Sequence, residues 1–85
     1  MNDLRPEIRR VLAEHARLPV SVDEVGDNAD LFQAGMSSHA SVNVMLALED
    51  AFDVEFPDSM LTRSAFESVA NIRAALEQIQ TAEAA

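Results

Sequence analysis

The sequence predicts an all-α domain of four helices, three longer and one short, with a long connection between the first two. Three observations lead there. Apolar residues recur at spacings of three and four in several windows, the period of one face of a helix. No window alternates apolar and polar residues as a half-buried strand would. A chain of 85 residues has room for one core and one domain.

Residues 3–18 carry the first stripe: Leu4, Ile8, Val11, Leu12, His15 and Leu18. Asp3 is placed to cap this helix, Pro6 falls in its first turn where a missing N–H costs nothing, and Pro19 stops it. Residues 19–37 form the long connection and hold both glycines. Within it, Ser21 and Glu24 have capping-box spacing, and Asn28 to Gly35 reads as a second turn pinned by Leu31 and Phe32. Residues 38–53 read as the second helix. At about 100° per residue, Val44, Met45, Leu48 and Phe52 fall in one sector facing the core. Residues 58–65 read as the short helix, opened by Asp58 and anchored by Met60 and Leu61. Ser68 caps the last helix, whose stripe is Val69, Ile72, Leu76 and Ile79. The domain is expected to span 1–80, with 81–85 a frayed tail.

Composition excludes whole classes of chemistry. There is no Cys, so no disulfide, thiolate nucleophile, zinc finger or iron–sulfur cluster. The histidines are only His15 and His39, too few for a His-rich metal site. No apolar run approaches the roughly 20 residues that span a bilayer, and none follows a basic start as in a secretory signal. The net charge is −9, unevenly spread. The first 18 residues hold Arg5, Arg9, Arg10 and Arg17 and net +1, whereas the remainder holds only Arg63 and Arg73 and nets −10. Such a surface disfavours nucleic acid and anionic lipid and would attract basic protein surfaces.

The second helix has more apolar residues than a core sector needs. Val42 and Leu46 point nearly opposite to Val44 and Leu48, ringed by His39, Asn43, Glu49, Asp50 and Asp53. Single exposed aliphatics are ordinary. Two of them one turn apart beside acids suggest a docking face, with the acids steering and the aliphatics forming a desolvated centre. Ser37 and Ser38 stand where this helix begins. Either can be its N-cap, and either can carry an anionic modification, which the free N–H groups and dipole of a helix start favour. Catalysis by the chain itself is not expected. Ser38 and His39 are neighbours that diverge by about 100° on a helix and cannot form a nucleophile–base pair. His15 lies mid-stripe and reads as a half-buried packing residue. Asp27, Asn28 and Asp30 lack EF-hand spacing and read as turn and cap residues.

The run Asp30-Leu-Phe-Gln-Ala-Gly-Met-Ser-Ser-His39 resembles the attachment motif of acyl and peptidyl carrier proteins. Val42 to Phe52 resembles that family's second helix, Glu55-Phe-Pro-Asp58 the turn after it, and Phe66-Glu-Ser-Val69 the lead into its last helix. The likeness runs from about Leu4 to Ile79. It implies a four-helix carrier-protein bundle in which Ser38 receives 4′-phosphopantetheine from coenzyme A through a separate phosphopantetheinyl transferase and Mg²⁺. The thiol of that arm would hold cargo as a thioester, which suits a chain without Cys. Ser37, Ser38, His39, Val42, Asn43, Leu46, Glu49 and Asp50 then fall on the partner-recognition face.

The chain departs from the family pattern near the attachment point. Ser37 stands where acyl carriers usually have Asp, and His39 where they usually have Leu. Ala40 and Asn43 replace further acids, and Phe56 and Phe66 occupy interior positions that are often smaller. These departures lean toward a small or polar cargo. The resemblance extends to stand-alone aminoacyl carriers loaded by seryl-tRNA-synthetase-like ligases. The expected protein is therefore a monomeric, cytoplasmic, non-enzymatic carrier. Its partners would be the transferase, a loading ligase for an amino acid or short acyl group, and a downstream acceptor enzyme. Two alternatives stand beside it: a fatty-acid or polyketide-type acyl carrier, and an unmodified acidic helical protein-binding module.

Overall fold

The computed structural model describes residues 3–84, with the side chains of 3–82. In chain order it contains α1 (Arg5–His15), α2 (Leu31–Ala34), α3 (Ser38–Phe52) and α4 (Val69–Ala84). Single 3₁₀ turns lie at Val22–Glu24, Asp58–Met60 and Ser64–Phe66. No strand occurs among the described residues. The expected class holds, but the short helix has a different place. It is α2, inside the long connection, whereas 58–65 forms two 3₁₀ turns in place of one helix. Leu61 leaves the helical region between them (φ −85°, ψ 64°). Thr62 Oγ1 accepts the Ala65 N–H at 3.3 Å, so a new turn starts where a helix would have continued.

The apolar stripes meet as their spacing requires. α1 packs on both α3 and α4. Ile8, Val11 and Leu12 of α1 are buried with Val44 and Leu48 of α3 and Val69, Ile72, Leu76 and Ile79 of α4. Leu4, Leu18, Met45 and Phe52 pack partly buried at the rim, and Ala16, outside the expected stripe, is fully buried. His15 is partly exposed beside Glu14.

Helix ends follow local chemistry. Leu4, not Asp3, is the N-cap of α1, but Asp3 Oδ1 still takes the Arg5 N–H at 3.0 Å. The helix ends at His15, ahead of Pro19, because Arg17 turns the chain in the left-handed region (φ 56°). Ser21 Oγ accepts the N–H of Asp23 and opens the first 3₁₀ turn. Ser68 caps α4 as expected, its buried Oγ accepting the Asn71 N–H at 3.1 Å. α4 then runs to Ala84, into the 81–85 segment expected to fray. Thr-Ala-Glu-Ala holds no glycine or proline, and its alanines are the strongest helix formers.

The long connection is tied down by two arginines one turn apart on α1. Arg9 donates to the carbonyls of Val22 (2.7 Å) and Val25 (2.8 Å) and to Asp27 Oδ1 (2.6 Å). Arg5 donates to Asp27 Oδ2 at 2.8 Å. The Asp27 carbonyl in turn accepts the Ala70 N–H of α4 at 2.9 Å, and Glu67 O accepts the Leu31 N–H at 2.7 Å. Asp27 therefore joins α1, the connection and α4.

The hydrogen bonds from Arg9 and then Arg5 hold the Asp27 carboxyl below its ordinary 3.8. Asp3, bonded to Arg5, is lowered from 3.8 to about 2. A carboxylate lowered in the folded state adds stability above its unfolded pKa and loses it as pH falls through the folded value. We predict that the urea midpoint of the wild type falls as pH is taken from about 4 toward about 2. Asp27→Asn should lower the midpoint at neutral pH and flatten this acid limb. An acid limb identical in the variant would remove Asp27 from the account.

Candidate functional site

The site is built by the end of the connection and the start of α3. Asp30 caps α2 by accepting the N–H groups of Phe32 (2.9 Å) and Gln33 (3.2 Å). Gly35 ends α2 with φ +126°, a conformation that L side chains rarely adopt. A Cβ at Gly35 would also lie 2.5 Å from Cδ of Pro19, so the two ends of the connection touch here. The next residue, Met36, is buried and fixes the chain before the turn into α3.

The two serines divide the work. Ser37 is the N-cap: its Oγ accepts the Ala40 N–H at 3.0 Å. Ser38 is the first residue of α3 and is exposed, and its Oγ has no hydrogen-bond partner among the described residues. The geometry thus shows which of the two serines caps the helix. Ser37 is spent on the helix, and Ser38 presents an uncommitted hydroxyl at its positive end.

Beyond Ser38, the outer face of α3 appears much as its periodicity implied. Val42 and Leu46 are 50% and 53% exposed, and His39 and Asp50 are exposed beside them. Asn43 is partly buried. Glu49 is also partly buried, and its Oε2 accepts the Phe56 N–H at 2.8 Å, clamping the chain after α3. That gives Glu49 a structural task the sequence did not suggest. Asp53 is the left-handed C-cap of α3 (φ 52°), its N–H bonded to Glu49 O.

A groove of about 280 Å³ opens beside Ser38. Val42 and Met45 of α3 line one part of it, and Leu61, Arg63 and Phe66 another. Phe32 of α2 also contributes, with the Arg63 guanidinium carbon 4.1 Å from its ring centroid. Leu61, expected as an anchor of the short helix, is instead 44% exposed because the helix breaks at that residue. Leu61, Arg63 and Phe32 were not marked as site residues by the sequence. The proximity of 32 to 63 is tertiary, and no local pattern announces it. Behind the groove, Phe56 and Phe66 pack edge to face at 5.3 Å and fill the interior. The arrangement offers a free hydroxyl at a helix start beside an open, largely apolar trough.

Known proteins share this architecture. The family model for the phosphopantetheine attachment site matches residues 6–78. An aminoacyl carrier protein from Agrobacterium fabrum is 53% identical over 62 residues, which is 73% of this chain and 75% of that protein. One similar chain is in the crystal structure of an engineered Bradyrhizobium japonicum glycine:[carrier protein] ligase complexed with a carrier protein from Agrobacterium tumefaciens and ATP. It aligns with a TM-score of 0.88 and 45% identity, covering 91% of this chain and all of that one. Another is in the complex of the Bradyrhizobium japonicum ligase with glycylated carrier protein, with a TM-score of 0.74 and 30% identity over 86% of this chain and 99% of that one.

Gly35 sets the position of Ser38 through a backbone that other residues reach only with strain. We predict that Gly35→Ala destabilises the fold by about 1–3 kcal/mol, read as a lower Tm in thermal circular dichroism. An unchanged Tm would show that the turn and its contact with Pro19 adapt freely.

Proposed function

From the premise that the chain belongs to the phosphopantetheine-attachment family, whose members include the aminoacyl carriers, we propose that it holds an amino acid on an arm attached at Ser38. The observation that carries this reading is the exposed, uncommitted Ser38 hydroxyl beside the groove. The family bears covalent 4′-phosphopantetheine. The residues fit that group: Ser38 Oγ would form the phosphodiester, and the walls at Val42 and Leu61 offer apolar surface to the root of the arm. When bound, the group supplies a thiol on which a cargo is held as a thioester.

The chain's own contribution is presentation. Ser37 keeps the first turn of α3 closed, so Ser38 is held at a fixed point. The edge-to-face pair of Phe56 and Phe66 leaves the interior filled, which supports a small cargo carried outside the core and counts against sequestration of a long acyl chain. Val42 and Leu46 serve as the apolar centre of a docking face, with His39, Asn43 and Asp50 at its edge and Ser37 and Glu49 holding its backbone. The partners are a phosphopantetheinyl transferase, an amino acid:carrier protein ligase and a downstream acceptor, met in the cytoplasm where coenzyme A is available. The chemistry belongs to those enzymes, and the chain itself works as a monomer without catalysing a reaction. The excess of acid after α1 disfavours nucleic acid and membrane as alternatives, and no described helix is long and apolar enough to cross a membrane.

Intact mass after incubation with coenzyme A, Mg²⁺ and a broad-specificity transferase tests the attachment site. One phosphopantetheine should add to the wild type and none to Ser38→Ala. A folded wild type that gains no mass, while a control carrier does, would favour an unmodified binding module. The docking face is tested by ligase kinetics. Leu46→Ala should lower kcat/KM for loading by about fivefold or more, as loss of a central apolar contact does. Asp50→Asn should reduce the salt dependence of kcat/KM. Wild-type behaviour in both variants would move the docking face elsewhere.

A further inference from the structure

Two of the six arginines, Arg17 and Arg63, have no carboxylate partner among the described residues, and of these only Arg63 lines the groove. Arg5, Arg9, Arg10 and Arg73 each pair with a carboxylate. Arg63 has no carboxylate partner among the described residues, in a chain whose acids outnumber its arginines by 15 to 6. Its guanidinium lies over Phe32, with Cζ 4.1 Å from the ring centroid. The stack limits the freedom of a long exposed side chain and leaves N–H groups of the fork available. Arg63 and Ser38 line the same groove. At the groove's other positive feature, the start of α3, the N–H groups of Ser38 and His39 have no acceptor among the described residues.

We propose that Arg63 is a positioning residue for the arm. It pairs with the phosphodiester on Ser38 and turns the root of the arm into the groove between Val42 and Leu61. The inference rests on the reading of Ser38 as the attachment point. A phosphodiester carries a single negative charge at neutral pH. The chain from residue 19 onward nets −10, so its overall field disfavours that charge. Arg63, parked on Phe32, and the helix start supply a local positive spot for that charge. Phe32 sets where the guanidinium waits, so the pair acts as one device. The pairing is solvent-exposed, so its effect is a bias in arm position and not a lock.

The test compares apo and holo forms by NMR, with holo protein made from coenzyme A and verified by intact mass. In the wild type, the Arg63 Nε–H correlation should move between apo and holo. The phosphorus resonance of the holo protein should differ between wild type and Arg63→Ala. Cross-relaxation between pantetheine protons and the methyl groups of Val42 and Leu61 should fall about two- to fivefold in Arg63→Ala. Arg63→Lys, which keeps a point charge, should retain part of it. An Arg63 signal that is the same in apo and holo forms, with unchanged cross-relaxation in Arg63→Ala, would overturn the role of Arg63 while leaving Ser38 as the attachment point. Absence of a mass gain in the wild type would overturn both.

Discussion

The clasp at Asp27 is the interaction on which the rest of the molecule depends. One carboxylate accepts Arg5 and Arg9 from α1, while the same residue's carbonyl accepts Ala70 from α4. The connection from α1 to α3 has few apolar anchors, chiefly Val25, Leu31 and Met36. Without polar ties it would gain little from ordering, since fixing each backbone residue costs about 1–2 kcal/mol. With the clasp, it becomes a strap across one side of the domain. The end of that strap is the α2 turn, Gly35 and Ser37, and these determine where Ser38 stands. Two of the four arginines of the first segment, Arg5 and Arg9, thus hold the strap, whereas Arg10 pairs with Glu7 and Glu14 within α1.

Much of the fold was legible because its causes are local. The stripes of α1, α3 and α4 are repeats of a helical period, and Ser68 is a cap beside the stripe it opens. The exposure of Val42 and Leu46 follows from the angle between residues on one helix. Other features depend on residues brought together only by folding. A helix of four residues at Leu31–Ala34 exists through the Asp30 cap and the Gly35 turn, so it reads in sequence as a loop. The stretch 58–65 has helical composition but breaks at Leu61, where Thr62 opens a competing turn. The reach of Glu49 to the Phe56 N–H, and the stacking of Arg63 on Phe32, cross between elements and leave no periodic trace.

The site itself combines a closed interior with an open exterior. Phe56 and Phe66 occupy the space behind the groove, and the walls in front are short and apolar. A carrier built this way protects its cargo little and presents it readily. The acidic face has a matching division. Asp50 remains free on the surface, Glu49 and Asp53 serve the end of α3, and the chain neighbours of Ser38 hold no carboxylate, while Arg63 shares its groove.

The filled core should leave the cargo on the outside of the domain. Methyl and aromatic chemical shifts of the holo protein, compared before and after loading with an amino acid, test this. Changes should be confined to the groove, at Val42, Met45 and Leu61, with Leu48, Phe56, Val69 and Ile72 unmoved. Shifts spreading through those four core residues on loading would mean that the interior opens to admit the cargo, and would contradict it.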